Sequence, residues 1–117
     1  MNDDHLDLTK TAAIGNPATA EGRAALVEIF RLYFDNVNQA CAAMRGPLTS
    51  DDLRVQAHRA KGASGVVGAR VLAGAFADLE ARAAAGETPG SDVYDELEQQ
   101  LADLRRTVSA ALGVEFP

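Results

Sequence analysis

The stretch LVEIFRLYFDNVNQACAAM, residues 26–44, decides the fold class, because its apolar residues recur at steps of three and four. These residues are Leu26, Phe30, Tyr33, Val37, Cys41 and Met44. Such spacing places them along one face of an amphipathic helix. No stretch of the chain alternates between apolar and polar residues for long enough to form a strand. The sequence therefore predicts an all-α fold.

Glycine and proline divide the rest of the chain into further helical segments. These breakers occur at residues 15–17, 46–47, 68 and 86–91. We expect Thr49 to cap a second helix, Gly68 to separate it from a third, and Ser91 to cap a fourth. Short connections favour antiparallel neighbours, so the prediction is an antiparallel up-down-up-down four-helix bundle.

The length and composition fit one small helical domain. With 117 residues, the chain is expected to form a single domain over 1–117. We place the bundle at 20–113 and an N-terminal cap segment at 1–17, with a short extra helical turn near residues 6–13. Hydrophobic residues make up 47% of the chain and aromatic residues 5%, without Trp, so aliphatic residues and Ala must fill the core. Such a core suits closely packed helices.

The sequence argues against several classes of protein. Cys41 is the single cysteine, which excludes an internal disulfide, and no Cys or His cluster has zinc spacing, so we expect no metal site. The chain has no run of ~18 apolar residues, as a membrane helix needs, and its N-terminus lacks the apolar run of a signal peptide. We therefore expect a cytoplasmic protein that does not bind membranes.

The charge distribution gives the first indication of a site. The net charge of −6 argues against a general affinity for nucleic acid or anionic membranes. Residues 53–77, however, contain no acidic residue and carry a charge of +4. The four basic residues are Arg54, Arg59, Lys61 and Arg70. A basic region in an acidic protein is where we expect an anionic partner to bind.

The second helix has an unusual outer face. At ~100° per residue, its apolar stripe lies on the side opposite to His58. That stripe comprises Leu53, Ala57, Ala60, Ser64 and Val67, and we expect Ser64 to make a local hydrogen bond there rather than to orient His58. The candidate partner-binding residues around His58 are Arg54, Val55, Gly62, Gly65 and Val66. Each glycine inside a helix costs ~1 kcal/mol relative to Ala, which suggests that something approaches the backbone closely.

This face has ordinary explanations too. A lone surface histidine is usually a solvated residue, and the basic residues can be a solvated face. Gly62 and Gly65 can instead permit tight packing against another helix. The coincidence of all these features favours an exposed histidine that reacts with a partner protein.

An exposed imidazole offers a nucleophilic ring nitrogen near neutral pH and can hold a phosphoryl group through a labile N–P bond. Lys61 follows His58 by three residues and can stabilise the phosphoryl oxygens. Arg54, four residues before His58, can do so from the other side. We predict His58 as the phosphoacceptor and Lys61 as its charge partner.

The run AHRAKGASGVVGARVL, residues 57–72, continuing to Leu79-Glu80, resembles histidine-containing phosphotransfer (HPt) domains of multistep phosphorelays. The resemblance implies that Nε2 of His58 accepts the phosphoryl group, that Lys61 stabilises it, and that Gly62 provides clearance. It also implies that residues 68–69 form the turn between two helices. Ala60 departs from the pattern, since many members have Leu there, which affects core packing more than chemistry.

The resemblance further implies the partners: receiver domains of response regulators, of a hybrid histidine kinase, or of both. HPt domains have no kinase or phosphatase activity of their own, and the Mg²⁺ belongs to the receiver that docks on them. We therefore expect a monomeric phosphocarrier without a cofactor. The sequence leaves open whether the protein is free-standing or part of a larger kinase.

Three other functions fit parts of the sequence less well. The phosphoacceptor helix pair of a sensor histidine kinase usually has an acidic residue directly after its histidine, whereas Arg59 follows here. A small metal-binding bundle is disfavoured because His5, Cys41 and His58 lie on different segments. An HPt-shaped helical adaptor that binds a signalling partner without phosphotransfer remains the alternative.

Overall fold

The computed structural model describes residues 5–116 of the chain, and it is helical throughout that range apart from the connections. The helices are α1 (Leu8–Ile14), α2 (Ala20–Arg45), α3 (Ser50–Val67), α4 (Arg70–Ala84) and α5 (Ser91–Leu112). Outside the helices, an isolated antiparallel bridge joins Leu6 and Ala69. The predicted all-α class is confirmed, and the predicted short N-terminal helical turn corresponds to α1. Residues 1–4 of the predicted cap segment lie outside the described residues.

Side-chain and backbone caps determine where the helices begin and end. The Thr49 hydroxyl accepts a hydrogen bond from the Asp52 N–H (3.1 Å), as predicted for the start of α3. Gly68 ends α3 in the left-handed conformation, with φ +81°. The prediction that Ser91 caps α5 is wrong, because Ser91 is already helical and Gly90 occupies the cap position. The helix begins one residue earlier because the Gly90 carbonyl accepts a hydrogen bond from the Val93 N–H (3.1 Å).

The four long helices pack in a ring. Helix α2 contacts α3 and α5, and α4 contacts the same two helices. Between α2 and α5, Arg45 contacts Asp95 while Asn38, earlier in α2, contacts Arg105, later in α5. Contacts in this reversed order are those expected of antiparallel neighbours. The prediction of a helical bundle is confirmed.

The bundle core is formed by the predicted apolar stripes. All five residues of the predicted α3 stripe are buried. The predicted α2 stripe is buried as well, together with Phe34, which packs on Phe116 at 5.2 Å between ring centroids. Across the α2–α3 interface, the Tyr33 hydroxyl lies 2.7 Å from Ser64 Oγ, and Ser64 Oγ donates to the Ala60 carbonyl. The local hydrogen bond predicted for Ser64 is thus confirmed.

The N-terminal segment is attached to the turn between α3 and α4. The Asp7 N–H donates to the Gly68 carbonyl (2.6 Å), and the Thr11 hydroxyl donates to the Val67 carbonyl (3.0 Å). A side chain at Gly68 would meet the Asp7 carbonyl oxygen at 2.7 Å. The turn therefore requires glycine both for its conformation and for this contact. Of the helices in residues 5–116, none is long and apolar enough to cross a membrane.

Candidate functional site

His58 lies in the middle of α3 and points away from the core. Its side chain is 64% exposed, whereas its neighbours Ala57 and Ala60 are buried. The helical period produces this arrangement, because the buried stripe of α3 takes the opposite side of the helix. The imidazole is therefore accessible to another macromolecule, as the sequence predicts.

A carboxylate of α4 bridges the two predicted functional residues. The two oxygens of Glu80 lie 2.6 Å from His58 Nδ1 and 2.5 Å from Lys61 Nζ. The Glu80 side chain is only 20% exposed, so it forms the floor of the site. The structure thus brings His58 and Lys61 together through a shared partner, not by direct contact.

Sequence reasoning used Glu80 only as a landmark of the family pattern and missed its position in the site. A signal was present, however. His58 lies eleven residues before Ala69, and Glu80 lies eleven residues after it. Two antiparallel helices joined by a turn at 68–69 bring such residues opposite each other. The symmetry of this helical hairpin would have identified Glu80.

Glu80 determines which nitrogen of His58 is reactive. An ionised carboxylate only accepts hydrogen bonds, so Nδ1 of His58 must carry the proton that it shares with Glu80. In the neutral ring, the lone pair is then on Nε2. A hydrogen bond that fixes one ring nitrogen in this way also fixes the orientation of the imidazole. The arrangement presents Nε2 as a nucleophile.

The charge of Glu80 is stabilised by its neighbours. The hydrogen bond from Lys61 lowers the pKa of Glu80 most, partial burial opposes this shift, and the hydrogen bond from His58 lowers the pKa further. Glu80 is therefore ionised at neutral pH, as the assignment of the Nδ1 proton requires.

The glycines leave open space beside the histidine. A Cβ atom added at Gly62 or at Gly65 would meet nothing within 4 Å. The explanation that these glycines permit tight helix packing within the molecule is therefore wrong. Gly62 is exposed and Gly65 half-buried, so the backbone of α3 is accessible beside His58.

The other predicted partner-binding residues lie on the same outer part of α3. Arg54 is exposed, and the side chains of Val55 and Val66 are 37% and 66% exposed. Cys41, by contrast, is buried in α2, and burial raises the pKa of its thiol to about 11. Within residues 5–116, no group of three His, Cys, Asp or Glu side chains is placed to hold a metal ion.

Comparison with known protein families identifies the family of this chain. The sequence model of the Hpt domain family matches residues 25–107, well over half of the 117 residues. The chain belongs to the Hpt domain family. Comparisons with curated proteins and with solved structures found no match.

The Hpt match covers the whole candidate site. His58, Lys61 and Glu80 all lie within 25–107, on the two helices that follow the first long helix of the bundle. Hpt domains take part in histidine phosphotransfer in phosphorelays and interact with receiver domains. Because the chain belongs to this family, neither the helix pair of a sensor histidine kinase nor a metal-binding bundle is needed to explain the site.

Proposed function

We propose that Nε2 of His58 accepts a phosphoryl group from the aspartyl phosphate of one receiver domain and passes it to the aspartate of another. The observation that carries this proposal is the hydrogen bond between Nδ1 and Glu80, 2.6 Å long, on a histidine that is 64% exposed. In the neutral ring it leaves the lone pair on Nε2 of an exposed side chain, as a phosphoacceptor requires.

The transfer step involves one bond formed and one broken. The Nε2 lone pair of His58 attacks phosphorus, the N–P bond forms, and the P–O bond to the aspartate breaks, which releases the aspartate as a carboxylate. Nδ1 keeps its proton, so the ring gains positive charge as the N–P bond forms. The ionised Glu80, 2.6 Å from Nδ1, stabilises that charge. In the reverse step a receiver aspartate attacks phosphorus and the lone pair returns to Nε2.

Lys61 has a place in both states of this cycle. In the unphosphorylated protein its ammonium group is bound to Glu80 at 2.5 Å. Its side chain is 37% exposed and starts one helical turn after His58, so it can turn to the phosphoryl oxygens once they arrive. Arg54, one turn before His58, offers a second cation. In this proposal the protein needs no cofactor, and Mg²⁺ is supplied with the receiver.

The charge pattern fits the proposed partners, receiver domains of response regulators or of a hybrid histidine kinase. The acid-free stretch 53–77, with a charge of +4, includes the helix that bears His58 except for its first turn, which carries Asp51 and Asp52, and the start of the next helix. An acidic receiver site would be attracted to this part of an otherwise acidic protein. We place this function in the cytoplasm and assign it to a monomer.

The test is transfer of ³²P from phosphorylated receiver domains to His58→Gln and to His5→Gln. The chain has two histidines, so the second variant is a matched control. We expect His5→Gln to gain an acid-labile, base-stable label and His58→Gln to gain none, with unchanged helicity. A label that persists in His58→Gln would refute the assignment. Binding of receivers without any label in the wild type would favour the adaptor function instead.

A further inference from the structure

The N-terminal segment, residues 5–14, packs on the turn between α3 and α4. Its residue Leu6 is buried and pairs with the buried Ala69 in the isolated antiparallel bridge. Its helix α1 contacts α2 and α3. Thr11, in the middle of α1, is buried although it is polar. Because buried polar side chains need hydrogen-bond partners, the contacts of Thr11 indicate what the segment does.

The segment supplies partners for the end of α3. The last carbonyls of a helix have no N–H partner within that helix. Here the carbonyl of Val67, the last residue of α3, accepts a hydrogen bond from the Thr11 hydroxyl (3.0 Å). The carbonyl of Gly68, the next residue, accepts one from the Asp7 N–H (2.6 Å). The N-terminal segment therefore caps the carbonyl end of the helix that bears His58.

The same segment also caps the start of α4. Ala69 occupies the cap position of α4 and has no side chain that could accept a hydrogen bond. The Arg70 N–H, at the first position of α4, donates to the His5 carbonyl (3.1 Å) as well as to the Gly68 carbonyl (2.9 Å). One segment thus holds the facing ends of two helices, α3 with His58 and α4 with Glu80.

The relative position of these two helices determines the geometry of the reactive pair. A helix moves as a stiff element, so a slide of α4 along α3 at the turn displaces Glu80 from His58 by a similar distance. The bond between Glu80 and His58 Nδ1 is 2.6 Å long, and lengthening it by about 1 Å would remove it. Apolar packing resists such a slide weakly, because it is non-directional and the buried face of α3 includes the small residues Ala57 and Ala60.

We propose that Thr11 is a positioning residue for the transfer reaction. Its hydrogen bond to Val67 fixes the register of α3 against α4 and thereby keeps the Nδ1 proton of His58 on Glu80. This inference rests on the proposed function, since the pair that Thr11 positions is the reactive one. Thr11 is the residue to test because it contacts the turn through its side chain, whereas Asp7 and His5 do so through backbone groups.

The experiment compares Thr11→Val with Thr107→Val. Valine has nearly the shape of threonine and lacks the hydroxyl. The Thr11 hydroxyl also lies 3.1 Å from the carbonyl of Asp7, four residues earlier, and the Thr107 hydroxyl donates to the carbonyl of Asp103, four residues earlier, at 3.0 Å. The control therefore removes a contact within one helix, and Thr11→Val additionally removes the contact to the turn. Thr11→Ser retains the hydroxyl and serves as the rescue variant.

Two measurements report the state of His58 without a receiver. ¹⁵N NMR of the neutral ring shows which nitrogen carries the proton. The rate of labelling by phosphoramidate measures the reactivity of Nε2. The thermal midpoint of each variant, recorded on the same samples, measures its stability.

We expect Thr11→Val to lose part of the Nδ1–H form of His58 and to be labelled several-fold more slowly by phosphoramidate. Displacing a reacting group by 1 Å can cost roughly 100-fold in rate, and the loss of one bond should produce a smaller displacement. Thr107→Val and Thr11→Ser should match the wild type in both measurements, even where their thermal midpoints fall.

Two results would overturn this inference alone. One is a Thr11→Val protein with a lower thermal midpoint but a wild-type NMR spectrum and labelling rate at His58, because Thr11 would then only stabilise the fold. The other is an equal change in Thr107→Val, which a general loss of stability would explain. A wild type that no receiver labels would instead overturn the proposed function, while the NMR comparison would still decide whether Thr11 positions His58.

A milder variant covers the case in which Thr11→Val does not fold. Asp7→Ala removes the carboxylate that accepts a hydrogen bond from the Thr9 N–H (3.1 Å) at the start of α1, and it leaves the backbone contacts to the turn in place. It should shift the NMR signals and the labelling rate of His58 in the same direction as Thr11→Val, by a smaller amount. Wild-type values for both in Asp7→Ala, despite a lower thermal midpoint, would count against the inference.

Discussion

Two charged clusters join neighbouring helices in this molecule, and they are built in opposite ways. In the Arg45 cluster, one cation of α2 binds two carboxylates of α5, Asp95 at 2.7 Å and Glu98 at 3.0 Å. In the Glu80 cluster, one carboxylate of α4 binds two basic groups of α3, His58 and Lys61. The first cluster has an excess of acid and the second an excess of base.

The difference explains what each cluster can do. Arg45 donates to both acids through Nε and Nη2 and also lies 5.6 Å from the centre of the Tyr94 ring, so several contacts hold its guanidinium in place. The hydrogen bonds that Arg45 donates to Glu98 and Asp95 raise its pKa, which only strengthens a charge that is permanent anyway. The Glu80 cluster leaves a ring nitrogen free and a movable ammonium group beside it. The first arrangement can only hold helices together, whereas the second can also react.

The largest effect on transfer should come from removing the acid of the Glu80 cluster. Glu80→Gln replaces a charged acceptor by a neutral amide, which no longer stabilises the positive ring during transfer. We expect the transfer rate from a saturating receiver to fall about 10–100-fold, the usual effect of losing a group that orients a reactive histidine. Glu98→Gln, in the Arg45 cluster, should leave the rate unchanged. Stopped transfer reactions followed by phosphorimaging measure both rates.

If Glu80→Gln transferred as fast as the wild type, Glu80 would be a structural partner of Lys61 and no more. A purely structural role would also lower the thermal midpoint without changing kcat. Helicity and the thermal midpoint should therefore be measured on the same samples.

Removing the Lys61 cation of the Glu80 cluster should have a smaller effect on transfer. Lys61→Ala removes the charge that we assign to the phosphoryl oxygens, and exposed single charges contribute about 1 kcal/mol or less. We therefore expect a several-fold slower transfer or a several-fold shorter lifetime of the phosphohistidine. Arg82→Ala provides the control, because Arg82 forms an exposed ion pair with Asp78 on the same helix as Glu80. An unchanged rate and lifetime in Lys61→Ala would remove its proposed role.

The sequence was sufficient for features that depend on one helix at a time. The period of α3 identified every buried residue of that helix, and it also placed His58 on the outer face. The Thr49 cap followed from local chemistry in the same way. These predictions succeed because the helical period is fixed at ~3.6 residues, whatever the rest of the chain does.

Features that depend on how two helices pack could not be predicted from the period of one helix. The contact between Glu80 and His58 requires the register of α3 against α4, which the 68–69 turn and its hydrogen bonds to the N-terminal segment determine. The hydrogen bond between Tyr33 and Ser64 depends in the same way on how α2 packs on α3. The prediction of a Ser91 cap was wrong for a local reason. At the start of α5 the Gly90 carbonyl accepts a hydrogen bond, where we expected the Ser91 hydroxyl to act as the cap.

The smallest expected effect concerns stability at acid pH. Because the pKa of Glu80 is lowered in the folded protein, its ionised form stabilises the fold above the unfolded value of about 4.3. That contribution is lost as the pH falls through the lower, folded pKa. The urea midpoint of the wild type should therefore exceed that of Glu80→Gln at pH 7, and the difference should shrink below about pH 4.

Glu87→Gln changes an exposed residue of the α4–α5 connection and gives the baseline for losing one carboxylate. A wild-type advantage that stays constant from pH 7 to about pH 3 would mean that the charge of Glu80 does not hold α3 and α4 together, and the contrast between the two clusters would then rest on reactivity alone.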